Sequence, residues 1–360
     1  MSPARKRAQG RTAWAVGLLV LASLASLPLA GLFGAWDVPP GQALDCMAAA
    51  ALRALSGLTG HAAPTDPALA TLTTVVVDLR LGRACLAWTL GAGLALSGAT
   101  FQGILRNPLA DPFTLGVSSG AAFGAALAIT LGLAGLGGLG GLGWLPPAGL
   151  AGALASLGAV LLLARLGGRL RRETLVLAGI VTATFLSAGI SLVKSLNEES
   201  VAAIVFWIMG SLQGRGWLEL ALYAPYFLVG AGVILLHGRE LDLLSLGSRQ
   251  AVQLGLNAGR TRLLLLTAAS VMAGAAVAVS GVIGFVGLVV PHMVRLVAGP
   301  EHRRLLPLSA LGGGLLLVWA DVLSRTMLPH GAELPVGVLT ALLGGPFFCL
   351  LLRRRREDAV

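Results

Sequence analysis

The sequence predicts an all-α membrane protein with about ten transmembrane helices and an inverted internal repeat. Of its 360 residues, 56% are apolar and only 12% are charged, and the mean hydropathy is +0.84. Soluble domains carry about 25% charged residues. Between Asp111 and Arg165, 53 consecutive residues lack Asp, Glu, Lys and Arg, which is room for two membrane crossings of about 20 residues each. We therefore expect residues 1–360 to form a single transmembrane domain.

The apolar runs define the expected helices in chain order. They lie near residues 13–35, 84–105, 114–134, 145–164, 174–193, 218–236, 263–283, 284–298, 305–322 and 334–352. The first run follows basic residues as a signal peptide would, but its length favours a retained helix. The even number of spans leaves an extracellular segment at 36–78 and a long cytoplasmic loop at 237–262.

The distribution of charge predicts the orientation of these helices. If the amino terminus is cytoplasmic, 20 of the 26 Lys and Arg residues fall on the cytoplasmic side, as the positive-inside rule requires. Both termini are therefore expected in the cytoplasm. The net charge of +10 is divided among short clusters between apolar runs, and not gathered on one face, which argues against nucleic-acid binding.

The sequence contains no pattern for a metal centre or for nucleotide binding. Cys46, Cys85 and Cys349 are far apart and lack paired spacing. A phosphate-binding loop needs glycine before its Lys-Ser pair, but Val193 precedes Lys194. We therefore expect no catalytic residue, no metal and no bound cofactor in this chain.

A shift of 183 residues aligns two parts of the chain. It places Gly91, Ala92, Ala95, Ser97, Gly98, Pro108 and Gly116 on Gly274, Ala275, Ala278, Ser280, Gly281, Pro291 and Gly299. The copies begin in the second and the seventh span, so they would run through the membrane in opposite directions. Inverted repeats are typical of transporters, although compositional bias toward Gly and Ala is an alternative explanation.

The source of energy is expected to lie outside this chain. The predicted spans hold almost no ionisable residues, which argues against proton coupling and leaves a sodium-coupled or facilitative secondary transporter as the alternative. The loop at 237–262 carries a short apolar edge at Ala251, Leu254 and Leu256. It is either a helix that enters the groove of a soluble ATPase or an interfacial helix on the headgroups.

Five motifs, taken together, resemble one known family. They are RLGRACLAWTLGAGLALSGATFQGILRNPLADPFTLGVSSG at 80–120, FWIMGSL at 206–212, LGLN at 254–257, SGVIGFVGLVVPHMVRL at 280–296 and ELPVGVLTALLGGPFF at 333–348. In this order they resemble the FecCD permeases of type II ABC importers for iron-siderophores, haem and cobalamin, over roughly residues 78–352.

The resemblance implies a homodimeric permease of the bacterial inner membrane. Its expected partners are two cytoplasmic ATPase subunits that bind ATP and Mg, a periplasmic or lipid-anchored substrate-binding protein, and a metal chelate, with ferric siderophore ranked before haem and cobalamin. Coupling to the ATPase is expected at Ser248, Arg249, Ala251, Leu254, Gly255 and Leu256. Docking of the binding protein is expected at Arg80, Arg83 and Arg325, although Gly82 stands where the family commonly has proline.

The resemblance also implies that the second, third, fifth, eighth and tenth helices surround the transport pathway. Small or neutral polar residues suit a wall that must not hold its cargo tightly. The expected pathway residues are Ser97, Gly98, Gln102, Asn107, Pro108, Ser118, Ser119, Ser211 and Gln213. Close helix packing is the alternative role for each small residue.

Overall fold

The computed structural model describes residues 3–34, 36, 38–59, 71–133, 143–165 and 172–357, and all regular structure in these ranges is helical. The α-helices are α1 (Pro3–Leu32), α2 (Pro40–Thr59), α3 (Gly82–Leu105), α4 (Val117–Thr130), α5 (Leu145–Arg165), α6 (Arg172–Leu196), α7 (Val201–Ile208), α8 (Trp217–Leu236), α9 (Gly238–Leu246), α10 (Ser248–Gln253), α11 (Ala258–Ser280), α12 (Val286–Ala298), α13 (His302–Thr326) and α14 (Val336–Glu357). A π-helical segment, Thr74–Leu81, runs directly into α3.

The predicted spans correspond to ten of these helices. Within the described residues, α1, α3, α5, α6, α8, α11 and α13 are long and apolar enough to cross a membrane, and α4, α12 and α14 are shorter apolar helices. The fold class and the multi-pass architecture are thus confirmed. The second predicted span begins too late, because its helix extends back to residue 71, inside the expected extracellular segment at 36–78. In that segment residues 40–59 form α2, and residues 60–70 lie outside the described ranges.

Helix α3 is the centre of the bundle and packs against α8, α11, α12 and α13. Nearly all of its side chains are buried. A Cβ atom added at Gly98 would lie 1.9 Å from the carbonyl oxygen of Gly287, and one added at Gly91 would lie 2.2 Å from that of Gly313. Helix backbones that approach so closely require glycine at the contact.

The two copies of the sequence repeat lie on antiparallel helices. The Ser97 hydroxyl of α3 donates a hydrogen bond to the Ala269 carbonyl of α11 at 3.0 Å, and Gly93 lies against Met272. This direction agrees with the predicted inversion, but the local structure of the matched residues differs. Gly98 lies inside α3, whereas Gly281 ends α11 with a φ of +69°, a conformation that favours glycine.

The arginines of the described residues are concentrated at one of the two ends of the helix bundle. At one end α3, α5, α8 and α12 finish and α6, α11 and α13 begin, and we call this the basic end. Its arginines are Arg106, Arg165, Arg172, Arg239, Arg249, Arg260, Arg262, Arg295, Arg303 and Arg304. At the opposite end α3 begins and α13 finishes, close to the start of α14. The charge clusters of the sequence therefore gather at one end of the bundle, as the positive-inside pattern predicts.

Candidate functional site

The predicted coupling loop forms two short helices at the basic end. Leu241 and Leu244 of α9 are buried in the main apolar core. Gly247 joins α9 to α10 with a φ of +129°, and Gly255 follows α10 with a φ of +86°. Residues other than glycine rarely adopt these angles, so the two glycines determine how α10 projects from the bundle.

Helix α10 and its junction with α9 are anchored on the inside. The Arg106 guanidinium, at the end of α3, donates to the Leu246 carbonyl at 3.0 Å. The guanidinium of Arg262, on α11, donates to the Ser248 hydroxyl at 2.7 Å. The Ala251 side chain is fully buried. The junction of α9 and α10 is therefore bonded to the end of α3, and α10 itself is bonded to α11.

The outer face of α10 is exposed and partly apolar. Val252 is 60% exposed and Leu254 is 61% exposed, and the neighbouring Arg249, Gln250 and Gln253 are exposed too. Of the residues that the sequence assigned to coupling, Ala251 points inward and Leu256 is half-buried against the core. The exposed apolar edge thus consists of Val252 and Leu254. The rotation of a six-residue helix could not be read from the sequence, which is why Val252 was missed.

A histidine and an aspartate connect this loop to the membrane helices. Asp242 of α9 accepts hydrogen bonds from the His302 backbone N–H at 2.8 Å and from its Nδ1 at 2.7 Å. His302 is the first residue of α13 and is 3% exposed. A Cβ atom at Gly103 would lie 2.5 Å from His302 Nε2. His302 thereby connects α9 to α13 and lies against α3.

At the opposite end, a buried ion network joins α3 to α13. The Arg83 guanidinium contacts both oxygens of Asp321 at 2.7 to 3.0 Å and donates to Glu333 at 2.8 Å. Arg325 lies 3.6 Å from the same aspartate and donates to the Ala30 carbonyl at 2.9 Å. A bidentate arginine–carboxylate pair is both strong and specific in its geometry.

The three arginines predicted to dock a binding protein lie together at this end. Arg80 is 5% exposed, Arg83 6% and Arg325 3%. Arg80 donates to the carbonyls of Leu32 and Trp36, so each of the three is bonded inside the chain. Their docking role stays a prediction, and the geometry adds a role in holding helices together. The sequence signal for this network was Asp321, because a carboxylate in a membrane helix needs a partner.

The predicted pathway residues fall into two groups. Ser97, Gly98, Gln102 and Ser118 are buried in helix contacts of this one chain, and Gln102 accepts a hydrogen bond from Arg295 at 2.9 Å. Burial of Ser97, Gly98 and Ser118 fits the alternative role in helix packing, and the pathway role of all four residues stays a prediction. The residues that reach the surface or are half-buried are Asn107, Pro108, Ser119, Ser211 and Gln213.

The segment after α7 is bonded to two neighbouring elements at the opposite end. The Ser211 backbone N–H donates to the Ser280 carbonyl at 2.9 Å, and the Gly337 N–H donates to the Gly210 carbonyl at 3.1 Å. A Cβ atom at Gly210, whose φ is +68°, would lie 2.2 Å from the Val282 carbonyl oxygen. The ends of α7 and α11 and the start of α14 therefore meet at one glycine-dependent junction.

Comparisons with known proteins agree with this architecture. The FecCD transport family profile matches residues 18–354. An ABC transporter permease protein of Bacillus subtilis, YvrB, is 46% identical over 302 residues, 84% of each chain. The cobalamin import system permease protein BtuC of Halobacterium salinarum is 44% identical over 81% of this chain and 76% of its own.

Two further comparisons extend this agreement. The hemin transport system permease protein HmuU of Yersinia pestis is 43% identical over 78% of this chain and 84% of its own. A solved structure of a metal-chelate type ABC transporter in an inward-facing conformation has a TM-score of 0.78 and 31% identity. The match covers 94% of this chain and 98% of the chain in the solved structure.

Proposed function

Because the chain belongs to the FecCD transport family, we propose that it is the membrane subunit of an importer that carries a metal chelate from the periplasm to the cytoplasm by alternating access. Its relatives are permeases of metal-chelate type ABC importers, which are transport subunits and not enzymes. ATP-driven import across the bacterial inner membrane is the extension proposed for this chain. In this proposal ATP and Mg²⁺ bind to the partner ATPase, and this chain binds no cofactor of its own.

The observation that carries the proposal is the exposed apolar edge of an internally anchored helix at the basic end. Val252 of α10 and Leu254, which directly follows this helix, are exposed, whereas Ser248 and Ala251 hold the helix to the bundle. Such an edge suits a groove on a soluble partner, with the apolar residues as anchors. Through Asp242 and His302, the partner's movement would reach α13 and α3.

The assembly that follows from this proposal has two faces. The basic end, with both chain termini, faces the cytoplasm and receives two ATPase subunits. The opposite end faces the periplasm and receives the binding protein near Arg80, Arg83 and Arg325. A second copy of the chain completes the pathway along the two-fold axis, lined in part by Ser119, Ser211 and Gln213.

The cargo is proposed as a class. Relatives named for cobalamin, hemin and Fe(3+) dicitrate are 44%, 43% and 40% identical to this chain. Ferric siderophore remains the first candidate, and haem and cobalamin follow. All are large metal chelates, and the binding protein supplies most of the selectivity.

The experiment is ATP hydrolysis by the complex of this chain, its ATPase and its binding protein in proteoliposomes. Ferric siderophore, ferric citrate, haem and cobalamin are titrated in parallel, and the stimulating compound identifies the cargo. We expect Val252→Ser/Leu254→Ser to reduce this stimulation at least about tenfold, since buried apolar anchors dominate interface energies. Gln253→Ser, on the same helix, serves as the matched control. Uptake driven by a sodium gradient without the ATPase would instead establish a secondary transporter.

A further inference from the structure

A large cleft at the basic end carries an unusual concentration of positive charge. It lies where α5 ends, where α6 and α11 begin, and beside α10, and its volume is about 1350 Å³. Five arginines line it: Arg165, Arg172, Arg249, Arg260 and Arg262. We call this feature the basic cleft.

Among the described residues that line the basic cleft, five arginines face one carboxylate. Glu173 is the carboxylate among its lining residues. Among the described residues, none of Arg165, Arg172, Arg249 and Arg260 forms an ion pair with a carboxylate. By contrast, Arg304, at the same end, pairs with Glu301 at 3.2 Å. Guanidinium groups held around one cavity without carboxylate partners are a binding environment for an anion, above all for phosphate.

The amino-terminal ends of two long helices add to the positive potential of the basic cleft. Helix α6 begins at Arg172 and has 25 residues, and α11 begins at Ala258 and has 23. Both starting residues line the cleft. The amino-terminal end of a helix carries about half a positive charge and favours phosphate groups. The helix ends therefore reinforce the arginines.

Apolar surface next to the basic cleft indicates what kind of anion fits. On the two long helices of the cleft that lie outside the expected pathway, a leucine within about one turn of a lining residue is exposed: Leu162 of α5 is 67% exposed and Leu264 of α11 is 44% exposed. The cleft lies at the ends of helices that are long and apolar enough to cross a membrane. A ligand with an anionic head and apolar chains matches both surfaces, whereas a free phosphate ion would contact only the arginines.

We propose that the basic cleft binds the phosphate headgroup of an anionic phospholipid, whose acyl chains lie along the exposed leucines of α5 and α11. Basic pockets between transmembrane helices suit such headgroups. Because Ser248, Val252 and Gly255 also line the cleft, the bound lipid would connect α5 and α6 to α10. This inference goes beyond the proposed function, and the cleft shares Ser248, Arg249 and Val252 with the surface proposed for the ATPase.

The test uses the full-length chain in detergent and measures lipid binding by native mass spectrometry. The probes are dioleoylphosphatidylglycerol, dioleoylphosphatidylcholine and inorganic phosphate. The variants are Arg165→Gln/Arg172→Gln/Arg260→Gln and the charge-preserving Arg165→Lys/Arg172→Lys/Arg260→Lys. The matched control is Arg239→Gln/Arg303→Gln, which removes two exposed charges from the same end but outside the cleft.

We expect phosphatidylglycerol to bind the wild type in preference to phosphatidylcholine. The triple glutamine variant should bind it about 100-fold more weakly, from about fivefold per guanidinium group, while the lysine variant and the control remain within about fivefold of wild type. Equal binding of the two lipids, or an equal loss in the control, would overturn the proposal. Displacement of the lipid by millimolar phosphate would reassign the cleft to the free ion. Unchanged lipid binding together with lost ATPase association would reassign it to an acidic surface of the partner.

Discussion

At the scale of single residues, the stability of the fold should be most sensitive to mutation of the Arg83–Asp321 pair, because both groups are buried. We expect Asp321→Asn to lower the free energy of unfolding by about 3 kcal/mol, since Arg325 then loses its carboxylate partner and Arg83 keeps only Glu333. Thermal unfolding of the purified chain, followed by tryptophan fluorescence, measures the change.

The matched control for this variant is Glu301→Gln, the same chemical change in the exposed pair with Arg304. Exposed ion pairs contribute about 0 to 1 kcal/mol, so this variant should unfold close to wild type. If both variants shift the unfolding midpoint equally, the network does not stabilise the contact between α3 and α13.

Asp111 lies in the connection between α3 and α4, and its buried carboxyl should make the stability of the fold depend on pH. Burial raises the pKa of its carboxyl from 3.8 to about 6, although the hydrogen bond from the Thr114 N–H lowers it. The folded chain therefore binds this proton more tightly than the unfolded chain does. The stabilisation that comes from this proton is fully present below about pH 4, and it is lost as the pH rises through 6.

We expect Asp111→Asn to abolish this part of the pH dependence while it preserves the turn, because asparagine also supplies a capping oxygen. Relative to wild type the variant should gain up to about 3 kcal/mol between pH 4 and pH 7. The measurement is the unfolding midpoint of both proteins across this range. A difference between the two that stays constant with pH would show that Asp111 does not titrate there.

At the scale of elements, the orientation of α10 depends on the left-handed backbone of Gly255. Open space surrounds this glycine, so a substitution acts through its φ of +86° and not through a clash. Asparagine tolerates this region and β-branched residues do not. We expect Gly255→Asn to retain stimulation of the ATPase and Gly255→Val to lose most of it, about tenfold, with a small change in unfolding temperature. Equal activity of the two variants would show that the backbone angle is unimportant for coupling.

Hydropathy predicted the positions of the membrane helices well and their rotations poorly. The second span was expected to begin at residue 84 because Asp78, Arg80 and Arg83 resemble a solvated loop. In the fold these arginines find acceptors on α1 and α13, so the helix continues through them. Such partners are distant in the sequence, and one chain's pattern does not reveal them. The burial of Ser97 and Ala251 also depends on neighbours that are distant in the sequence, so the sequence alone did not predict it.

At the scale of the whole molecule, the concentration of arginines at the basic end predicts which end of the protein faces the cytoplasm. In a variant without Cys46, Cys85 and Cys349, Ser248→Cys would mark the basic end and Ala332→Cys the opposite end. Because arginine-rich ends stay on the cytoplasmic side, a membrane-impermeant maleimide should label Ala332→Cys in intact spheroplasts. Ser248→Cys should react only after permeabilisation. Labelling of both positions in intact spheroplasts would contradict the proposed orientation.

The pairing of Arg83 with Asp321 also constrains the order in which the protein is assembled. The two residues are 238 positions apart, and at about 5–20 residues per second the ribosome needs roughly 10 to 50 s to make the aspartate after the arginine. During that interval Arg83 lacks the aspartate with which it pairs in the finished bundle. The ion pair that joins the second span to the ninth therefore forms only after the ninth span has been synthesised.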